Sequence, residues 1–198
     1  MGTRIRGLHA GDALIVVDVQ RDFLPGGALA VPEGDRVIPV LNRVAAEFAS
    51  RGLPVFATRD WHPPNHCSFR AQGGPWPPHC VADTPGAEIP ADVQLAPDTQ
   101  VISKATTPEK DAYSGFEGTD LLERLRTRGA TRVFVGGLAT DYCVKQTVLD
   151  ALANGLDVVV LEDAIRAVEA EPGDGARALQ EMRTRGAIVA TTEDILAR

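Results

Sequence analysis

The sequence predicts an α/β protein of three layers, α/β/α, built on a central, mostly parallel sheet of five or six strands. Three observations carry that prediction. Short apolar runs rich in β-branched residues alternate along the chain with amphipathic helical stretches, the pattern of right-handed βαβ crossovers. The length of 198 residues suits one domain, without internal repeat or interdomain linker, so residues 1–198 are expected to form a single unit. The hydrophobic share of 44% is enough to offset the ordering entropy of a folded core.

The elements follow in order. Ala13–Val19 is a continuous apolar run, as expected of a strand buried on both faces. Gly34–Arg51 reads as a helix, with Val37, Val40, Leu41, Val44, Ala45 and Phe48 on one stripe and Gly52 placed as its C-cap glycine. Pro54–Thr58 is the second strand and Gln100–Ser103 the third. Thr119–Arg128 is a helix, Arg132–Gly136 a strand, and Cys143–Asn154 a helix closed by Gly155. Asp157–Leu161, Asp174–Arg185 and Ala187–Ala190 complete the alternation as strand, helix and strand.

One stretch breaks the pattern. Residues 60–98 hold eight of the 14 prolines, three of the four histidines and both tryptophans. A long irregular segment within a compact domain is usually functional. Ligands of a parallel sheet bind outside the carboxyl ends of its strands. Asp18 falls near the end of strand one, Asp60 just after strand two and Lys104 just after strand three, and Cys143 follows strand four by a short loop. Four reactive side chains therefore share one rim.

Composition excludes several classes. Twenty Lys and Arg against 27 Asp and Glu give a net charge of -7, a poor basis for nucleic-acid binding. No apolar run approaches the roughly 20 residues of a membrane span. Met1–Asp12 carries two arginines and no apolar stretch, so it is not expected to be a secretory signal. Three cysteines are too few for a disulfide scaffold, and a reducing cytoplasm is the expected location.

Each candidate has a chemical and a bland reading. Cys143 sits in the first turn of a predicted helix, where free N–H groups and the dipole favour a thiolate and an adjacent oxyanion. A buried structural cysteine is the competing reading. Asp18 is placed to serve as base and then acid for a thiol, or only to cap a turn. Lys104 is placed to lower the thiol pKa and orient Asp18, or is a solvated lysine. Asp60 and His62, two apart on an extended segment, point the same way and can share one ion, with His79 or His66 completing the shell. Imidazole with carboxylate suits zinc, iron or manganese. Cys67 and Cys80 beside His66 and His79 leave a structural zinc knot open as a rival. Phe23, Trp61, Trp76 and Tyr113 stand out in a chain with 5% aromatic residues. They line a pocket for a flat ring, or plug the loop onto the sheet.

Taken together, Asp18-x-Gln20-x-Asp22-Phe23, Asp60-Trp-His62, Trp76-Pro-Pro-His-Cys-Val81, Lys104, Asp111-Ala-Tyr-Ser-Gly-Phe116 and Gly137-Leu-Ala-Thr-Asp-Tyr-Cys-Val144 resemble the nicotinamidases of the isochorismatase-like cysteine hydrolase superfamily. The Asp/Lys/Cys set marks the superfamily, and the metal set with Trp-Pro-x-His-Cys narrows it to nicotinamidases (pyrazinamidases). The resemblance implies that Cys143 attacks the carboxamide carbon of nicotinamide, with Asp18 shuttling the proton and Lys104 supporting both. It also implies a cis peptide before Ala139 and an oxyanion hole from the N–H groups of Ala139 and Cys143. Asp60, His62 and His79 would hold one divalent ion, zinc first and iron or manganese next. Phe23, Leu29, Trp76, Tyr113, Ala139 and Tyr142 would surround the ring. The partners implied are nicotinamide and pyrazinamide-like analogues, without nucleic acid or membrane, in a monomer or small homo-oligomer. A relative acting on a carbamoyl or ureido amide, or a catalytically silent binding module, are the alternatives.

Overall fold

A computed structural model describes residues 7–196; the leading part of Met1–Asp12, read above as lacking a secretory signal, lies outside the described residues. Six strands form one parallel sheet in the order β3-β2-β1-β4-β5-β6. They are β1 (Asp12–Val17), β2 (Val55–Asp60), β3 (Gln100–Lys104), β4 (Arg132–Leu138), β5 (Asp157–Arg166) and β6 (Ile188–Ala190). The helices are α1 (Val37–Ser50), α2 (Leu121–Thr127), α3 (Lys145–Ala153), α4 (Asp174–Thr184) and α5 (Thr192–Leu196).

The uninterrupted apolar run of β1 has its reason in the layers. Every residue of β1 is buried, and successive side chains enter opposite cores. Leu14 and Val16 pack with Leu41, Val44 and Phe48 of α1 and Ile195 of α5. Ala13, Ile15 and Val17 pack with Leu125 of α2, Val148 of α3 and Met182 of α4. The three-layer expectation is met, with six strands, all parallel. On α1, Ile38 is buried while Val40 is only partly so, a small rotation of the predicted stripe. Gly52, at φ 67, closes that helix as a left-handed residue, which a side chain would disfavour.

Several boundaries differ from the sequence expectation: β1 begins at Asp12 and stops at Val17, and β4 runs on to Leu138. β2 and β3 run on to include Asp60 and Lys104, paired with each other, so both side chains stand on strand ends rather than in loops. β5 extends to Arg166, with a register shift opposite Val135 and Gly137. α5 was not anticipated, because five residues are too few to show a helical period. Residues 60–98 are irregular but not structureless: short 3-10 turns and isolated bridges, His62 with Val81 and Phe69 with Trp76, tie the segment to itself.

Gly137 of β4 lies opposite Val17 of β1. It holds φ 126, and a Cβ there would overlap the Val17 carbonyl oxygen. Gly137→Ala is therefore expected to lose at least about 2 kcal/mol through backbone strain and overpacking together. A shift of the urea midpoint at unchanged slope is the check.

Candidate active site

The four rim residues converge. Lys104, 1% exposed, lies at their centre. Its Nζ donates to Asp60 Oδ1 and, at 3.0 Å, to the Ala112 carbonyl; it stands 3.0 Å from Asp18 Oδ2 and 3.5 Å from Cys143 Sγ. Asp18 follows β1 directly, in the left-handed region at φ 48, a conformation aspartate tolerates better than most residues. The hydroxyl of Thr58 donates to Asp18 Oδ1 at 2.6 Å, whereas Oδ2 makes no further hydrogen bond and faces the ammonium group. Donor atoms of Asp18, Asp60 and Cys143 lie within 4.8 Å of one another. The Lys104 ammonium contacts all three, so the triangle already holds a cation of its own.

Burial sets the charge states. It pushes the Cys143 thiol well above its ordinary range, and Lys104 offsets this only in part. Lys104 does pull the thiol down, as expected, but burial deeper than the rim position suggested outweighs it, and the thiolate favoured by the helix start is not the resting form. Burial also raises the Asp18 carboxyl, against the pull of Lys104. Asp60 goes the other way: burial would raise it, but Lys104 and His62 more than compensate and hold it below the usual carboxylate range. Lys104 stays charged, since the two carboxylates outweigh its own desolvation. Cys143 is thus a neutral thiol beside a carboxylate of raised basicity, an arrangement suited to proton transfer between the two.

The helix start is also corrected. Cys143 sits in a π-type turn, Thr140–Val144, ahead of α3. The Ala139 carbonyl accepts from both Tyr142 and Val144 at 3.1 Å, which widens the turn and presents the thiol inward. The Leu138–Ala139 peptide is cis, as anticipated.

Beside this cluster Asp60, His62 and His79 form a buried donor set within 4.8 Å. The Nδ1 atoms of His62 and His79 face the carbonyls of Ala105 and Pro77 at 3.2 and 2.8 Å, which leaves each Nε2 as the ligating atom. His62 Nε2 lies 3.6 Å from Asp60 Oδ2. Burial keeps His79 below its ordinary pKa and therefore neutral, as a ligand must be. The set fits a divalent ion that accepts imidazole and carboxylate. His66 does not join it: Nδ1 is bonded to Ser68 Oγ at 2.7 Å and Nε2 to the Lys110 carbonyl at 3.2 Å. Neither Cys67 nor Cys80 enters a donor cluster among the described residues, which removes the zinc-knot reading.

Beside both clusters opens a small, partly enclosed cavity with mainly apolar walls. All six predicted wall residues line it: Phe23, Leu29, Trp76, Tyr113, Ala139 and Tyr142. Trp76 Nε1 donates to the Tyr113 hydroxyl at 3.0 Å and packs edge-on against Tyr142. Asp60, His79 and Cys143 reach the same space. Trp61 does not line it; that ring lies under the Arg59 guanidinium at 3.6 Å. Sequence reasoning missed Val31, Leu138 and Val168 in the wall and Thr58 behind Asp18. Leu138 was open to the strand-end rule, whereas Val168, in irregular chain after β5, carried no signal.

Comparison with known proteins agrees with this geometry. The Isochorismatase domain family matches residues 12–194. The chain belongs to that family. Within it, a nicotinamidase of Escherichia coli strain K12 is 42% identical over 203 residues, covering 92% of this chain and 95% of its own. The crystal structure of a pyrazinamidase of Pyrococcus horikoshii in complex with zinc superposes with a TM-score of 0.88 at 55% identity, over 91% of this chain and 99% of that one. An L. infantum protein in complex with nicotinate superposes with a TM-score of 0.90 at 38% identity, over 98% and 99% of the two chains.

Proposed function

We propose that residues 1–198 are one catalytic unit, a metal-dependent cysteine amidohydrolase that converts nicotinamide to nicotinate and ammonia. The observation that carries the reading is one cavity reached both by Cys143, which Lys104 and Asp18 back from behind, and by Asp60 and His79 of the donor set. The family's carbamoyl-amide chemistry needs only the first of these. The zinc and nicotinate named for the two structural relatives support the second.

Phe23, Trp76 and Tyr142 would hold the pyridine ring, with Leu29, Tyr113 and Ala139 closing the wall. Cys143 Sγ attacks the carboxamide carbon as its proton passes to Asp18. The N–H groups of Ala139 and Cys143 are assigned to the developing oxyanion. Asp18 then returns the proton to the departing nitrogen, which leaves as ammonia, and a thioester remains on Cys143. Water, deprotonated by Asp18, hydrolyses it to nicotinate and the free thiol. Lys104 orients Asp18 throughout and favours its ionised form before each proton is taken up. Asp60, His62 and His79 would hold the divalent ion, zinc first, which when bound supplies an anchor for the ring nitrogen and so fixes the carboxamide before the thiol. Pyrazinamide offers the same ring nitrogen and carboxamide. Free Cys67, Cys80 and Cys143 suit the reducing cytoplasm proposed as the location, and no helix among the described residues is long and apolar enough to cross a membrane.

Intact mass and peptide mapping of enzyme quenched during turnover tests the chemistry. One nicotinoyl group on the Cys143 peptide is expected; its appearance on Cys67 or Cys80, or on no residue under saturating substrate in several rapid-quench intervals, would count against the thioester.

The pH profile follows from Asp18. The base must be ionised in the free enzyme, and its pKa is raised from 3.8 by burial. kcat/KM is therefore expected to fall as pH drops through an apparent pKa above 3.8, a value belonging to the coupled cluster. No alkaline limb from Lys104 is expected below its ordinary 10.5. An acid limb at or below 3.8 would place the base elsewhere.

A further inference from the structure

Gln20 and Asp22 belong to the first motif of the chain, yet the chemistry above uses neither. Gln20 is wholly buried. Both lie where β1 leaves the sheet. β1 pairs with β2 as far as Val17, opposite Thr58. The chain then turns at Asp18, whose N–H donates to the Thr58 carbonyl at 3.2 Å. β2 continues to Asp60, so the backbone edge of Asp60 that faces β1 has no strand beside it. The Gln20 side chain fills that place. Its Oε1 accepts the Asp60 N–H at 2.7 Å, and its Nε2 donates to the Asp60 carbonyl at 2.8 Å and to the Ala87 carbonyl at 2.9 Å. One amide side chain thus mimics the missing peptide group at Asp60 and spends its second N–H on the Ala87 carbonyl. With its backbone gripped on both sides, Asp60 directs one carboxylate oxygen to Lys104 and the other towards His62.

Asp22 treats the histidine side similarly. Its Oδ2 accepts the N–H of Cys80, next to His79, at 2.7 Å, and its Oδ1 accepts the N–H of Ala28 at 3.2 Å. The carboxylate lies flat against Gly86, where any Cβ would overlap it.

We infer that Gln20 and Asp22 are positioning residues of the cation site: a single segment leaving β1 fixes Asp60 through its backbone and His79 through its neighbour. The inference rests on the cation reading of the proposed function. Such outer contacts set the orientation of ligands rather than supply them, and their loss typically weakens metal binding by about 10–100-fold.

The test is zinc affinity of the full chain, by competition with a chromophoric chelator, together with the visible spectrum of the cobalt-loaded protein. Gln20→Met removes both polar ends at similar volume. Gln20→Glu keeps the acceptor for the Asp60 N–H and serves where the first variant does not fold. Asp22→Asn weakens the hold on Cys80. Asp12→Asn is the control, because Asp12 pairs with Arg132 at 2.7 Å at the opposite end of β1 and its loss lowers stability without touching the site. Zinc affinity is expected to fall by about 10–100-fold in the Gln20 and Asp22 variants, with a shifted cobalt spectrum, and to stay at the wild-type value in Asp12→Asn. Affinities within about threefold of wild type, or losses no greater than in the control, would overturn the inference alone. A wild type that binds neither zinc nor cobalt would instead overturn the cation reading on which it rests.

Discussion

Cys143→Ala is expected to fold as the wild type does and to release no measurable ammonia from nicotinamide. The fall in kcat should reach at least about 10⁴-fold, the scale seen when a covalent nucleophile is removed from a preorganised site. The sulfur is buried, 6% exposed for the residue, and its polar neighbours are Lys104 at 3.5 Å and the Asp18 carboxyl. Losing it costs about 1 kcal/mol of stability, since the site keeps its carboxylate–ammonium pairs. Activity and stability therefore separate in this variant. A Cys143→Ala protein retaining a tenth of wild-type turnover would move the nucleophile elsewhere.

Lys104→Met should do the reverse and damage both. Methionine nearly preserves the volume, so the change isolates the charge and its hydrogen bonds. The wild-type ammonium is the shared counter-ion of Asp18 and Asp60, and it also satisfies the Ala112 carbonyl. Without it Asp18 loses its ammonium partner and Asp60 is left with His62 alone. Removing one partner of a buried ion pair typically costs about 3–5 kcal/mol, and here a single substitution strips two. Urea unfolding should show the loss as a lower midpoint at unchanged slope. Adding Asp18→Asn to Lys104→Met should recover part of the stability and none of the activity, because the neutral amide no longer demands a cation. Equal stability of wild type and Lys104→Met would mean that the carboxylates are not both ionised in the folded protein.

How much of this was legible in the sequence depended on whether the property is local. The run Ala13–Val19 could be read as a doubly buried strand because apolar continuity is itself the signature of burial on two faces. Asp60 and His62 could be paired because an extended chain returns to the same face every second residue. The sharing of one rim by Asp18, Asp60, Lys104 and Cys143 followed from strand ends. Assignment of their chemical roles leaned on the resemblance of the joint motifs. What stayed hidden was tertiary. The thiol's raised pKa depends on depth, and depth is a property of everything packed above Cys143. His66 stood beside the predicted ligands in sequence, yet Ser68 and Lys110 take both its nitrogens. Trp61, next to Asp60, faces away from the cavity and stacks with Arg59, as alternation along the chain requires. Val168 reaches the cavity from a segment tied down by the backbone N–H groups of Val168 and Glu169, which donate to Asp141, 27 and 28 residues away.

Ammonia release from nicotinamide by zinc-loaded wild type, chelator-stripped wild type and Cys143→Ala, measured side by side, bears most directly on the pairing of thiol and cation across one cavity. Turnover in the first sample alone, restored to the second by zinc, is the expected result. Wild type that leaves nicotinamide intact while hydrolysing a carbamoyl amide, or turnover that survives complete chelation, would contradict it.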